Sequence, residues 1–131
     1  MRIIHKSADS QSGPTDWITG AAWLEEIAVV AAPSRLRIHS VHFAPGARTC
    51  WHRHPIGQVL IITAGSGLVQ RKDGPIEQVR TGDTVWFEPD EWHWHGAGPR
   101  TFMTHLAVQE TAPDGKEADR GDPVNDSDYP T

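Results

Sequence analysis

Between Ala21 and Glu110 the apolar residues come in short runs rich in Val, Ile and Trp, separated by clusters of turn formers. The clusters are Ala-Pro-Ser at 32–34, Ala-Pro-Gly at 44–46, Ala-Gly-Ser-Gly at 64–67, Lys-Asp-Gly-Pro at 72–75, Thr-Gly-Asp at 81–83, Glu-Pro-Asp-Glu at 88–91 and Gly-Ala-Gly-Pro at 96–99. Short strands at this spacing predict an all-β antiparallel sandwich or barrel. No stretch keeps an apolar period of 3.6 residues for three turns. The nearest, Ala21 to Ala32, carries Glu25-Glu26 and turns into strand formers beyond them. Residues 1–20 are polar, with Ser, Gly and Pro at 10–14, and predict an extended arm. Residues 21–110 predict the barrel, and the charged, glycine-rich residues 111–131 a polar strap or tail.

Side chains two apart on a strand share a face. Met103, His105, Ala107 and Gln109 therefore share one face, and Thr104, Leu106 and Val108 the other. On an earlier strand His39, Val41 and Phe43 lie opposite Ile38, Ser40 and His42. Alternation alone does not say which face turns inward, so His39 and His42 are each either site residues or sheet-surface residues.

With 131 residues the chain has the length of one domain, large enough to form a core without a disulfide or a structural metal. Its 12 basic and 17 acidic side chains give a net charge of -5, and the basic ones are scattered, which argues against a nucleic-acid partner. No apolar run reaches the roughly 20 residues of a membrane span, and the opening Met-Arg-Ile-Ile-His-Lys lacks the features of a secretory signal. The expectation is a cytoplasmic protein with a small-molecule substrate and no membrane partner. A single cysteine, Cys50, has no internal partner for a disulfide; it is a small buried thiol or a cavity-facing one.

The chemistry concentrates in histidine. Four of the eight form two i, i+2 pairs, His52 with His54 and His93 with His95, and each pair can point into one cavity if its segment is a strand. His95 is then a donor behind the site, a substrate contact or a wall residue. Trp51, Trp86, Trp92 and Trp94 cluster around the two pairs as core, rim or pocket wall.

The stretch Gly46-Ala-Arg-Thr-Cys-Trp-His52-Arg-His54-Pro-Ile-Gly-Gln58, running on to Gly65, resembles the first cupin motif. Gly82-Asp-Thr-Val-Trp-Phe-Glu-Pro89-Asp-Glu-Trp-His93 resembles the second. Two departures stand out. Gln58 replaces the usual Glu, and Asp90 replaces a glycine after the proline, a turn position at which Asp tolerates the left-handed conformation.

Over most of its length the chain is similar to bacterial manganese cupins with hydroxynitrile lyase activity and to small cupins around them. Asp16-Trp17, Val85-Trp86-Phe87, His93-Trp94-His95-Gly96-Ala97, Met103-Thr104-His105 and Gln109-Glu110 carry this likeness together with the first motif. The resemblance implies a double-stranded β-helix, or jelly-roll barrel, and a homo-oligomer, dimer or tetramer. It implies one divalent metal ion per chain, manganese with iron, nickel or zinc as alternatives, held by His52, His54, Gln58 and His93. It implies substrate contacts at His105, Gln109 and His39. Three neutral imidazoles and an amide leave the double positive charge of such an ion uncompensated and favour anionic ligands. The activity expected is cleavage or formation of small cyanohydrins, with His105 as base and His39, Gln109 and His95 around the substrate. Two alternatives are a quercetinase-like oxygenase acting on an enolisable substrate and a non-catalytic binder of small anions.

Overall fold

In the computed structural model, which describes residues 1–130, twelve strands form one curled antiparallel sheet and no helix is present among the described residues. They are β1 (Gln11–Ser12), β2 (Ile18–Thr19), β3 (Ala22–Val29), β4 (Leu36–Phe43), β5 (Arg48–Thr49), β6 (His52–Arg53), β7 (Gln58–Arg71), β8 (Glu77–Arg80), β9 (Thr84–Phe87), β10 (His93–Ala97), β11 (Met103–Glu110) and β12 (Asp119–Arg120). Nothing there is long and apolar enough to cross a membrane as a helix.

β7 belongs to both walls of the barrel. Its first half pairs with β11 and β9, and its second half with β10 and β8. One wall continues from β11 through β4 and β3 to β1, the other from β10 to β5 and β2, with β6 and β12 beside it. The Ala-Gly-Ser-Gly cluster at 64–67, expected as a turn, lies inside β7 at the crossing point. Bare backbone is needed there for contact rather than for reversal. A Cβ on Gly65 would collide with the Phe102 carbonyl, and one on Gly67 with the Gly96 carbonyl and the Met103 sulfur.

A bulge beside this crossing, between Thr104 and His105 in the register with β11, adds one residue to β7. Inward positions therefore switch parity, from Gln58, Leu60 and Ile62 before the bulge to Gly67 and Val69 after it. The buried core of Val41, Phe43, Leu60, Ile62 and Met103 fills the barrel. The turn before β10 uses Asp90 at φ 61°, a left-handed position that the short polar side chain tolerates.

The termini differ. Residues 1–10 are exposed and form no strand, whereas β1 pairs with β3 and β2 with β5. Beyond Glu110 the chain runs as a strap: β12 pairs with β6, and Val124 and Tyr129 are buried with Leu68 and Trp94 in a second small core on the outer face of the wall. Buried Arg48 holds this strap through its guanidinium, which donates to the Val124 carbonyl at 2.7 Å and lies 4.4 Å from the centre of the Tyr129 ring.

Candidate metal centre

The two His-x-His segments meet because β6 and β10 are paired, with His52 directly opposite His93. Gln58 opens β7 nearby, and its Oε1 lies 3.2 Å from His93 Nε2. Ring centres stand 4.4 Å apart for His52 and His93, 5.2 Å for His52 and His54, and 5.6 Å for His54 and His93. Phe87 stacks on His93 at 3.6 Å and backs it against the wall. His52, His54 and Gln58 line a cavity of about 370 Å³.

Main-chain carbonyls fix three of the imidazoles. His52 Nδ1 donates to the Cys50 carbonyl at 2.8 Å, His54 Nδ1 to Glu117 at 2.9 Å and His93 Nδ1 to Glu91 at 2.7 Å. A carbonyl only accepts, so each Nδ1 carries the hydrogen and each Nε2 carries a lone pair. His54 Nε2 is buried without a partner. Lone-pair nitrogens gathered beside an amide oxygen suit a divalent cation, although His54 stands outside the group of three imidazoles whose nitrogens approach one another most closely.

Burial also keeps these rings neutral. Desolvation, then the neighbouring His54, lowers His52 to about 3; desolvation, then His52, lowers His93 to about 2. His54 is lowered chiefly by desolvation. No proton has to leave before a cation enters near neutral pH.

His95 joins this group more closely than the spacing implied. One nitrogen from each of His52, His93 and His95 lies within 4.8 Å of the others, so these three could hold a metal ion. Yet His95 is held differently. Its Nδ1 is 3.0 Å from Nε2 of fully buried His105, and either ring can donate in that bond. The outer nitrogens of the pair, His95 Nε2 and His105 Nδ1, have no partner. Burial first, then His105, pushes His95 well below the usual imidazole range, and burial lowers His105 to about 4.

His39, His105 and Gln109 all line the same cavity, together with Val41 and Phe43, which settles the inward face of β4 and β11. His42 is on the outside, bonded to Thr104 Oγ1 at 3.0 Å. Of the tryptophans around the histidine pairs, none walls the cavity: Trp94 is buried under the strap and Trp86 is exposed. Trp17 of the N-terminal segment lines it instead. Cys50 is a buried thiol outside the cavity lining, with its pKa raised by burial.

Glu117 was not singled out by its sequence context, a polar and charged stretch with no strand pattern. Its carboxylate accepts from Gln109 Nε2 at 2.6 Å, and it is the one acidic side chain among the described residues that line the cavity. The donor set is therefore less isolated from negative charge than the ligand types alone imply.

A family model described as a cupin domain matches residues 39–102. The chain is 50% identical over 123 residues, 94% of its length and 93% of the relative's, to an (R)-mandelonitrile lyase of Granulicella tundricola. A crystal structure of a cupin-like protein from Thermotoga maritima superposes with a TM-score of 0.85 at 32% identity, covering 98% of this chain and 95% of that one. The polyketide cyclase of Streptomyces resistomycificus shares the fold at a TM-score of 0.71 and 18% identity, over 98% and 90% of the two chains.

Proposed function

The chain belongs to the cupin family, and on that premise we propose that it is a divalent-metal-dependent lyase that cleaves and forms mandelonitrile-type cyanohydrins in its barrel. The observation that carries this is the His95–His105 pair: two buried, neutral imidazoles joined by one hydrogen bond, each with its outer nitrogen free, beside a ready ligand set. The named activity of a relative half identical over almost the whole chain supports the same reading.

We assign the ion, as manganese, to His52, His54, Gln58 and His93, and the proton chemistry to the pair. The three assigned imidazoles have their tautomer set by a carbonyl. His95 is bonded to a group that both donates and accepts. When bound, the ion supplies Lewis acidity and positive charge for a developing anion.

The pair supplies a base and an acid together. If His95 Nδ1 donates to His105, then His95 Nε2 is a lone pair and His105 Nδ1 carries a hydrogen; if His105 Nε2 donates, the roles reverse. One end takes the proton of the cyanohydrin hydroxyl. The carbon–carbon bond to the nitrile then breaks as the carbonyl forms, and the other end returns a proton to the departing cyanide. Aldehyde and hydrogen cyanide result with no net change of charge, and the pair is left in its reversed tautomer, which serves the opposite direction of transfer. Val41, Phe43, Leu24 and Trp17 offer an apolar wall for the aryl or alkyl group. In the same reading the chain is a homo-oligomer that meets its copies on the outer sheet face, where Trp86 and Ile61 are exposed; light scattering at micromolar concentration checks this, and a monomer overturns it.

The test is benzaldehyde release from mandelonitrile by Mn(II)-replete protein, with dissolved oxygen followed in parallel. Release that is abolished by chelation and consumes no oxygen is the expected result. No release, or oxygen uptake on an enolisable substrate, overturns the lyase reading.

A further inference from the structure

Three side chains run in single file from the strap to the cavity. The Glu117 carboxylate accepts from Gln109 Nε2 at 2.6 Å; Gln109 Oε1 accepts from Gln58 Nε2 at 3.0 Å; Gln58 Oε1 ends 3.2 Å from His93 Nε2. Direction in this chain is dictated from its outer end. A carboxylate has no hydrogen to give, so Gln109 must turn its amide nitrogen toward Glu117. Its oxygen is then left for Gln58, which must in turn offer nitrogen. Gln58 thus has only its oxygen left for the cavity, where a cation ligand is needed. Without the carboxylate, both amides can flip together and keep their mutual bond, and Gln58 then presents a nitrogen that cannot ligate.

The same residue acts a second time through its backbone. The Glu117 carbonyl accepts His54 Nδ1–H at 2.9 Å and so presents His54 Nε2 as a lone pair. Glu117 is half-buried, and the strap around it is held in place. Asp119, two residues on, pairs with Arg53 at 3.0 Å and with Lys116 at 2.7 Å, and the Asp119–Arg120 strand is laddered to β6.

We propose that Glu117 is a positioning residue of the metal centre, its carboxylate orienting Gln58 through Gln109 and its carbonyl orienting His54. One residue of the C-terminal strap thereby sets two of the four ligands. The relay also accounts for an amide at position 58, since a carboxylate there has no hydrogen for Gln109. The inference rests on the assignment of Gln58 and His54 as ligands.

The experiment measures Mn(II) affinity of the full chain, first freed of metal, by competition with a chelator. Outer partners of metal ligands typically contribute 10- to 100-fold in affinity. Glu117→Ala, which keeps the carbonyl, should weaken Mn(II) binding by about that factor while the metal-free protein melts as wild type does. Gln109→Ala should do the same, and the double variant should be no weaker than either alone, because both cut one chain. Glu117→Gln restores an acceptor without enforcing direction and should fall between wild type and Glu117→Ala; it also serves as the test if the alanine variant does not fold. Wild-type affinity in the Glu117 variants, or additive losses in the double variant, overturns the relay. The ligand assignment is read separately from Gln58→Ala. A loss there beside an unaffected Glu117→Ala overturns the relay alone, whereas unchanged affinity in Gln58→Ala overturns both.

Discussion

His95 and His105 share one hydrogen between nitrogens 3.0 Å apart, so neither ring can act without changing the other. A general base typically contributes about 100- to 10,000-fold, or roughly 3 to 5 kcal/mol at the transition state. His105→Ala should lower kcat for mandelonitrile cleavage by about that factor at unchanged Mn(II) content. His95→Ala should cost a similar factor, and the two together little more than either, as for groups that work as a unit. Additive losses would separate their roles. His39 lines the cavity without a bond to the pair, so His39→Ala should act mainly on KM. At position 58 the charge argument gives a further expectation. Gln58→Glu adds a negative charge beside the ion and should weaken cyanide inhibition at matched metal content; equal inhibition in both proteins would show that this charge does not govern anion binding.

At the scale of elements, strand alternation and turn chemistry made most of the barrel legible, because inward and outward positions on β4 and β11 differ by one residue and the turns use Gly, Pro and Asp. The His-x-His pairs were legible for the same reason: they need only a locally extended chain. The strap was legible only as an alternative to a tail, since what holds it is not a pattern of its own but partners on distant strands. Tyr129 donates to the Ala97 carbonyl at 2.6 Å, and the Arg48 guanidinium donates to the Val124 carbonyl. Glu117 was invisible in the same way. The crossing inside β7 was misleading because glycines placed for close backbone approach look, in sequence, like glycines placed for a turn. These contacts rank by burial. Asp126 bonds Arg48 at 2.7 Å, yet its side chain is 94% exposed, so Asp126→Asn should change stability by less than about 0.5 kcal/mol. Tyr129→Phe removes a buried hydrogen bond and should cost about 1 kcal/mol. Arg48→Ala leaves the Val124 carbonyl unpaired and opens space beneath Tyr129, and should cost roughly 2 to 4 kcal/mol. Urea unfolding of the three variants checks the order; an Asp126 effect as large as that of Arg48 would contradict it.

For the whole molecule, gathering buried, neutral imidazoles inside one barrel makes folding depend on pH. His52, His93 and His105 have folded pKa values of about 3, 2 and 4 against an ordinary 6.5, each lowered first by desolvation. Above 6.5 both the folded and the unfolded chain leave these rings neutral, and they add no pH dependence. Below 6.5 the unfolded chain takes up protons that the folded chain refuses, so stability falls with falling pH and goes on falling until the folded values are reached. One unit of displacement corresponds to about 1.4 kcal/mol per group, so each ring costs about 2 kcal/mol by pH 5. Three rings together reach the low end of the 5 to 15 kcal/mol that domains generally possess, and His54 and His95, also lowered by desolvation, act in the same direction. Asp119, whose pKa is lowered from 3.8 by hydrogen bonds from Lys116 and Arg53, acts only below that range and does not blur the window. The metal-free protein should therefore show a urea midpoint at pH 5.5 clearly below that at pH 7.5. A double variant with His52→Gln and His93→Gln should show a smaller drop, having lost two of the five buried imidazoles whose pKa is lowered. Mn(II) should raise the midpoint at pH 7.5, where the ligands are neutral, because it binds the folded chain alone. Equal midpoints at the two pH values in the metal-free wild type would mean that the cavity admits protons as readily as water does, and the account of its imidazoles as desolvated ligands would fail.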